Sequence, residues 1–227
     1  LVLEYGTEQS VSPSGTVIDS VPSAGDLVQS GDTIHLTLAT NSTISIAEDL
    51  SGNSFVIDPE PPAYLSGKDV ALDVANRLAG LLRMAGASVT LTRGALGSAD
   101  MPGVSTRAAL ARAADATAVV GFTIGTDSAG GIAVQAVPTS ESSSSPGGSS
   151  VLADAIGIAL MSDFSTVSTS SIAFDAVLSG ADHPAARVRL GSSAVAADAA
   201  SFNDPNWAQN VAHDVYAGLA ALFGKAS

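Results

Sequence analysis

Ser54-Phe55-Val56-Ile57-Asp58-Pro59-Glu60-Pro61-Pro62-Ala63 reads as a short apolar strand that runs straight into a proline-rich loop. Phe55, Val56 and Ile57 show no polar alternation, which is expected of a strand covered on both faces. In an open α/β sheet, the loop at the carboxyl end of such a strand is a usual place for ligands and chemistry. This loop offers the carboxylates Asp58 and Glu60, with no His, Cys or Ser nucleophile.

Strand and helix patterns alternate downstream. Ser66 is placed to cap a helix running to about Ala85, with Val70, Val74, Leu78, Leu81 and Leu82 on one face and Gly86 at its C-cap. Ser88–Thr92 reads as a strand and Val104–Ala116 as an Ala-rich helix. Ala118–Ile124 and Ile132–Val137 are apolar runs of the kind that form central parallel strands. Thr139–Ser150 is almost all Ser, Gly and Pro and is expected to be a mobile loop. Val151–Phe164 reads as helix, and Phe174–Leu178 and Ala186–Leu190 as strands. Pro205, with Asn203 or Asp204 as cap, opens a last helix to Phe223. Repeated β-α units of this kind predict an α/β domain over 54–227, with a mostly parallel twisted sheet and helices on both faces.

Upstream, residues 1–40 alternate short apolar runs with turns at Ser12-Pro13-Ser14, Pro22–Gly25 and Ser30–Asp32. Thr33–Leu38 alternates with period two. The plain reading is a small antiparallel β unit, joined through a polar linker at 41–53. The chain opens inside a strand-like run, Leu1–Tyr5, as a piece cut from a longer protein would.

The chain has 227 residues, 46% hydrophobic and 14% charged, which is a globular composition with enough length for a real core. Its 9 Lys+Arg against 22 Asp+Glu give a formal net charge of −13. Such a surface repels phosphate backbones and anionic lipid heads, so no nucleic acid and no membrane surface is expected as partner. Zero cysteines exclude disulfides and thiolate zinc sites. Any membrane attachment is expected through an anchor outside this chain.

The run Gly15-Thr16-Val17-Ile18, then Pro22-Ser23-Ala24-Gly25, then Val28-Gln29-Ser30-Gly31 into Thr33–Leu38 resembles the last two-thirds of a PASTA domain. That resemblance implies an extracytoplasmic module, some of whose family bind peptidoglycan while others act as spacers.

The remainder resembles the zinc-dependent N-acetylmuramoyl-L-alanine amidases. Val56-Ile57-Asp58-Pro59 matches V-I-D-P, and Lys68-Asp69-Val70-Ala71-Leu72 matches K-D-V-N-L. Gly86–Arg93 matches G-x-x-V-x-L-T-R, and Arg107 with Ala113–Ala116 matches an R…A-x-x-A-D run. Gly131–Val134 resembles G-V-x-V, and Pro184–Gly191 matches P-A-V-L-V-E-L-G.

The family's reaction uses a zinc ion held by two His and a Glu, with a second Glu as general base. Aligned through these motifs, the first His position holds Pro61 and the Glu ligand position holds Gly67. The second His position holds Gly125, and the catalytic Glu position holds Arg189. No His or Cys occurs between residues 36 and 182. The resemblance therefore implies the body of an amidase without its catalytic or metal residues and with no cofactor.

The alternative is an active amidase with a displaced metal site, for instance His183 with Asp58 or Asp127 across a shared sheet edge. His35 and His213 complete the histidines. A structural spacer in a membrane-anchored chain is the third reading. Asp58, Glu60 and Asp127 are the expected contacts of a relic groove, and Arg189 is expected to pair with a carboxylate such as Asp58. The expected partners are a cell-wall or division protein, or peptidoglycan, in the extracytoplasmic envelope.

Overall fold

The computed structural model describes residues 2–10, 17–22, 26–29, 31–41, 48–62, 69–94, 102–113, 115–139, 148–179 and 181–225. The chain divides into two compact units, Leu1–Ser45 and Ile46–Ser227.

The first unit is a three-stranded sheet of β1 (Val2–Ser10), β2 (Val17–Val21) and β3 (Thr33–Asn41), in the order β1-β3-β2. It is mixed and not all antiparallel: β2 runs antiparallel to the central β3, whereas β1 runs parallel to it. Within the register, Glu4 stands opposite His35, and their side chains meet at 3.1 Å.

The second unit is a six-stranded sheet. Its strands are β4 (Ser54–Pro59), β5 (Ser88–Leu91), β6 (Ala118–Gly125), β7 (Ile132–Val137), β8 (Val167–Ser171) and β9 (Ala185–Ser192). The order is β5-β4-β6-β9-β7-β8, and every neighbouring pair is parallel except β7 with β9. The mostly parallel sheet is thus as expected, but β7 is not a parallel neighbour of the central strands. Only residues 126–131 separate it from β6, and a parallel crossover needs about a dozen or more. The chain has to turn back, and β9 later fills the gap between β6 and β7.

Helices α1 (Val70–Met84), α2 (Val104–Ala113), α3 (Ser149–Leu160), α4 (Ala196–Ser201) and α5 (Pro205–Phe223) complete the unit. The two faces of β4 show how the layers form. Phe55 packs edge-on against Phe223 of α5, at 5.9 Å between ring centroids. Val56 faces the other way, into a buried cluster with Ala108 and Ala111 of α2 and with Val177 and Leu178. Successive strand side chains alternate faces, so β4 is apolar on both.

The expected face of α1 is buried as read, Val70, Val74, Leu78, Leu81 and Leu82 included. Its start differs. Asp69, and not Ser66, caps the helix, its side chain accepting from Leu72 N–H at 3.2 Å. Ser66 itself lies outside the described residues. At the other end, Gly86 N–H bonds to the Arg83 carbonyl and Ala87 N–H to that of Leu82. This paired closure needs a left-handed residue, and Gly86 supplies it at φ +89. The last helix starts at Pro205 with Asp204 as its cap.

Two further expectations change. Phe174–Leu178 is a turn, not a strand: the Asp175 carboxylate accepts from Val177 N–H and Leu178 N–H and curls the backbone. The strand in this region is β8, whose Val-Ser-Thr-Ser-Ser sequence carries no apolar alternation because it is an exposed edge. Residues 48–53, read as linker, belong to the second unit, with Leu50 fully buried and Asp49 bridged to Lys225. Residues 140–147 of the Ser/Gly/Pro run lie outside the described residues. Among the described residues, no helix is long and apolar enough to cross a membrane.

Candidate functional site

Parallel register sets the carboxyl end of β4 level with the middle of β6 and the first half of β9. Asp58 stands beside Gly121, and Gly121 beside Arg187. Asp58 is fully buried. One carboxylate oxygen accepts from Thr92 Oγ1 at 2.6 Å and from Arg107 Nη1 at 2.6 Å. The other accepts from Arg187 Nη1 at 3.2 Å. Arg187 in turn pairs with Asp175 at 2.7 Å. The result is an alternating chain, Arg107–Asp58–Arg187–Asp175, inside the sheet.

Burial by itself would raise the Asp175 carboxyl, but the Arg187 charge and the N–H groups of Leu178 and Val177 hold it below its ordinary value. Gly121 makes room for the arginine: a Cβ there would stand 2.6 Å from Arg187 Cζ.

Two expectations fail here. Asp58 is not a groove contact, because its carboxylate is consumed within the core. Its arginine partners are Arg107 and Arg187, not Arg189. The register decides this, since Arg187 is level with Asp58 through Gly121, whereas Arg189 lies two residues farther along β9. Arg187 carried a signal in the sequence: it is a cation where the P-A-V-L-V-E-L-G pattern has Leu.

Arg189 is a staple on the next loop. It pairs with Asp127 and donates to the Ala129 carbonyl at 2.7 Å. Its side chain is 18% exposed and that of Asp127 66%. The hydrogen bond from Arg189, aided by Ala129 N–H, holds the Asp127 carboxyl below its ordinary value. The staple crosses Gly125, where a Cβ would stand 2.5 Å from Arg189 Cζ and from its Nε. Ser192 Oγ donates to the Asp127 carbonyl, and Ser193 N–H donates to that of Gly125 at 2.9 Å.

The loop after β4 is held just as firmly. Glu60 N–H bonds to the Phe122 carbonyl at 2.8 Å. Arg93, which is buried, donates to the Pro59 and Glu60 carbonyls and grips Asp69 through both terminal nitrogens, at 2.7 and 2.9 Å. The residues that cap α1 and close β5 are thereby tied to the loop they flank. Glu60 is exposed and Pro61 half-buried, while Gly67 lies outside the described residues.

The described residues do not fit a zinc ion at this edge. Pro61 offers no ligand atom, Gly125 no side chain, and Arg189 a cation already committed to Asp127. Among the described residues, no three His, Cys, Asp or Glu side chains gather to hold a metal. The displaced-site reading assumed that His183 shares an edge with Asp58 and Asp127. It does not: His183 precedes the amino end of β9, and the two aspartates stand at or beyond the carboxyl ends of strands parallel to it. His35 belongs to the first unit. His213 is exposed on α5, where a hydrogen bond with Asp214 raises it above its ordinary value.

The sequence profile of the N-acetylmuramoyl-L-alanine amidases matches residues 60–221, and the chain belongs to that family. Solved structures agree on the fold. The amidase AmiC2 of Nostoc punctiforme is 22% identical, with a TM-score of 0.63 over 75% of this chain and 97% of that one. Ami1 of Mycobacterium smegmatis is 20% identical, with a TM-score of 0.62 over 78% and 99%. CwlD of Clostridioides difficile, solved in complex with the GerS lipoprotein, is 13% identical, with a TM-score of 0.58 over 75% and 98%. No curated protein matches the chain.

Proposed function

We propose that this chain is a non-catalytic amidase-family protein of the bacterial envelope, acting by binding as a regulator or scaffold. The observation that carries the reading is the Arg189 staple. At the positions where the family pattern puts its catalytic Glu and second His, an arginine lies across a glycine and pairs with Asp127. Pro61 adds a position that has lost its ligand atom. Among the described residues, this edge keeps braced backbone, the Arg189–Asp127 pair and the exposed Glu60, which can present a surface but form no cluster that would hold a metal to activate water.

The binding partner is a cell-wall or division protein, or peptidoglycan itself. A protein partner is the favoured of the two, because the positions that define the substrate site are changed. A fold relative, CwlD, is solved with a lipoprotein partner, which is a precedent for this use of the fold. The PASTA-like motifs of residues 14–38 support an extracytoplasmic location, with membrane attachment through a segment outside this chain.

Zinc analysis of the pure protein and release of peptides from purified peptidoglycan test the reading. Stoichiometric zinc with turnover overturns it. Retention of a protein or of peptidoglycan from an envelope extract distinguishes binding from the alternative of an inert spacer, which retains neither.

A further inference from the structure

Beside the Arg189 staple, the second unit contains a cavity of about 270 Å³. Ile132 and Leu190 give it apolar wall, Phe164 and Trp207 give it aromatic wall, and Asp163 and Asp198 give it carboxylates. Among the described residues, no Lys or Arg lines it. The aromatic side is well ordered by contact: Trp207 meets Phe202 edge-on at 5.4 Å and Phe164 at 6.3 Å. In a chain with only 4% aromatic residues, three of them converge here.

The two carboxylates are not equivalent. Asp198 is committed to backbone, accepting from Ser192 N–H at 2.8 Å and from Gly131 N–H at 3.1 Å. It fixes the loop and leaves its charge at the cavity. Asp163 is exposed just beyond α3, and its charge acts on His213 and Asp214 of α5.

We propose that this cavity binds a primary alkylammonium. The alkyl stem lies against the Phe164 and Trp207 rings, and the ammonium head meets Asp163, with Asp198 as the second carboxylate of the cavity. An aromatic face adds attraction for the same cation, and an anion is repelled by both carboxylates. This binding activity goes beyond the role proposed above and does not depend on the loss of catalysis. A free amine and a lysine side chain in a peptide share the chemistry.

Trp207 is the sole tryptophan, so its emission reports on this cavity alone. The intact chain is titrated with pentylammonium, with Nα-acetyl-lysine amide and with the uncharged 1-pentanol. The expected result is a saturable change in Trp207 emission with at least one of the amines. Pentanol should bind about fivefold more weakly or worse, as expected for loss of one partly exposed charge pair. Asp163→Asn should weaken the amine by a similar factor. Asp154→Asn, which removes an exposed charge elsewhere on α3, should leave it unchanged. A stronger response to the lysine amide points to a peptide source, and a stronger response to pentylammonium points to a free amine. No saturable change, equal binding of pentanol, or undiminished binding in Asp163→Asn overturns the proposal.

Discussion

Arg189 lies across Gly125, close enough that a single Cβ at 125 would sit 2.5 Å from the guanidinium carbon. The arginine and the glycine therefore form one steric unit. Gly125→Ala is expected to lower stability by about 1 kcal/mol, the low end for overpacking, because a flexible side chain can yield. It can yield only by leaving Asp127. In an Arg189→Ala background the same glycine change should be nearly neutral, and a double-mutant cycle measures the coupling. Equal costs in both backgrounds would show that the two positions are independent.

Asp58 carries the buried charge chain. Asp58→Asn leaves Arg107 and Arg187 without their shared counter-charge in the core, and is expected to cost about 3–5 kcal/mol. Urea unfolding of the variant measures this. A loss no larger than that of an exposed aspartate such as Asp154 contradicts the arrangement.

The pairing of Asp175 with Arg187 should be visible in acid. A carboxyl held below its unfolded value contributes stability that is complete above that value, and loses it as pH falls through the folded one. Asp175→Asn should therefore flatten the decline of unfolding free energy below about pH 4. Parent and variant declining in parallel would assign the acid sensitivity to other groups.

Arg93 ties the β4 loop to the cap of α1. Arg93→Lys keeps the charge but cannot make the two-pronged contact with Asp69 while reaching the Pro59 and Glu60 carbonyls. We expect a loss of about 1–3 kcal/mol, and faster amide exchange at Glu60 and in the first turn of α1. Unchanged exchange there argues against the brace.

Under the non-catalytic reading, Pro61→His alone should leave zinc affinity unchanged by calorimetry, since a hydrolytic zinc site needs about three protein ligands. Tight zinc binding by this single variant would reveal ligands elsewhere in the chain.

The sequence shows α1 by its one apolar face, β4 and β6 by unbroken apolar runs, and α5 by its Asp204-Pro205 start. What failed was set by partners distant in sequence. The direction of β7 followed from a connection too short to cross over. β8 was silent because an exposed edge has no apolar face to show. Phe174–Leu178 has the composition of a strand, but the Asp175 side chain curls it. In the site, Arg189 was legible as a reversed charge, but its partner was not. Pairing depended on register, which placed Arg187 level with Asp58 and left Arg189 to Asp127.

The buried position of Asp58 separates two kinds of inheritance within one short motif. In this chain Val56-Ile57-Asp58-Pro59 is held by the two guanidiniums that its aspartate answers in the core, whatever happens three residues later. A tetrapeptide search for this family would thus collect chains by their interior joinery. Under the non-catalytic reading, telling hydrolysers from binders would require reading positions 61, 67, 125 and 189 instead.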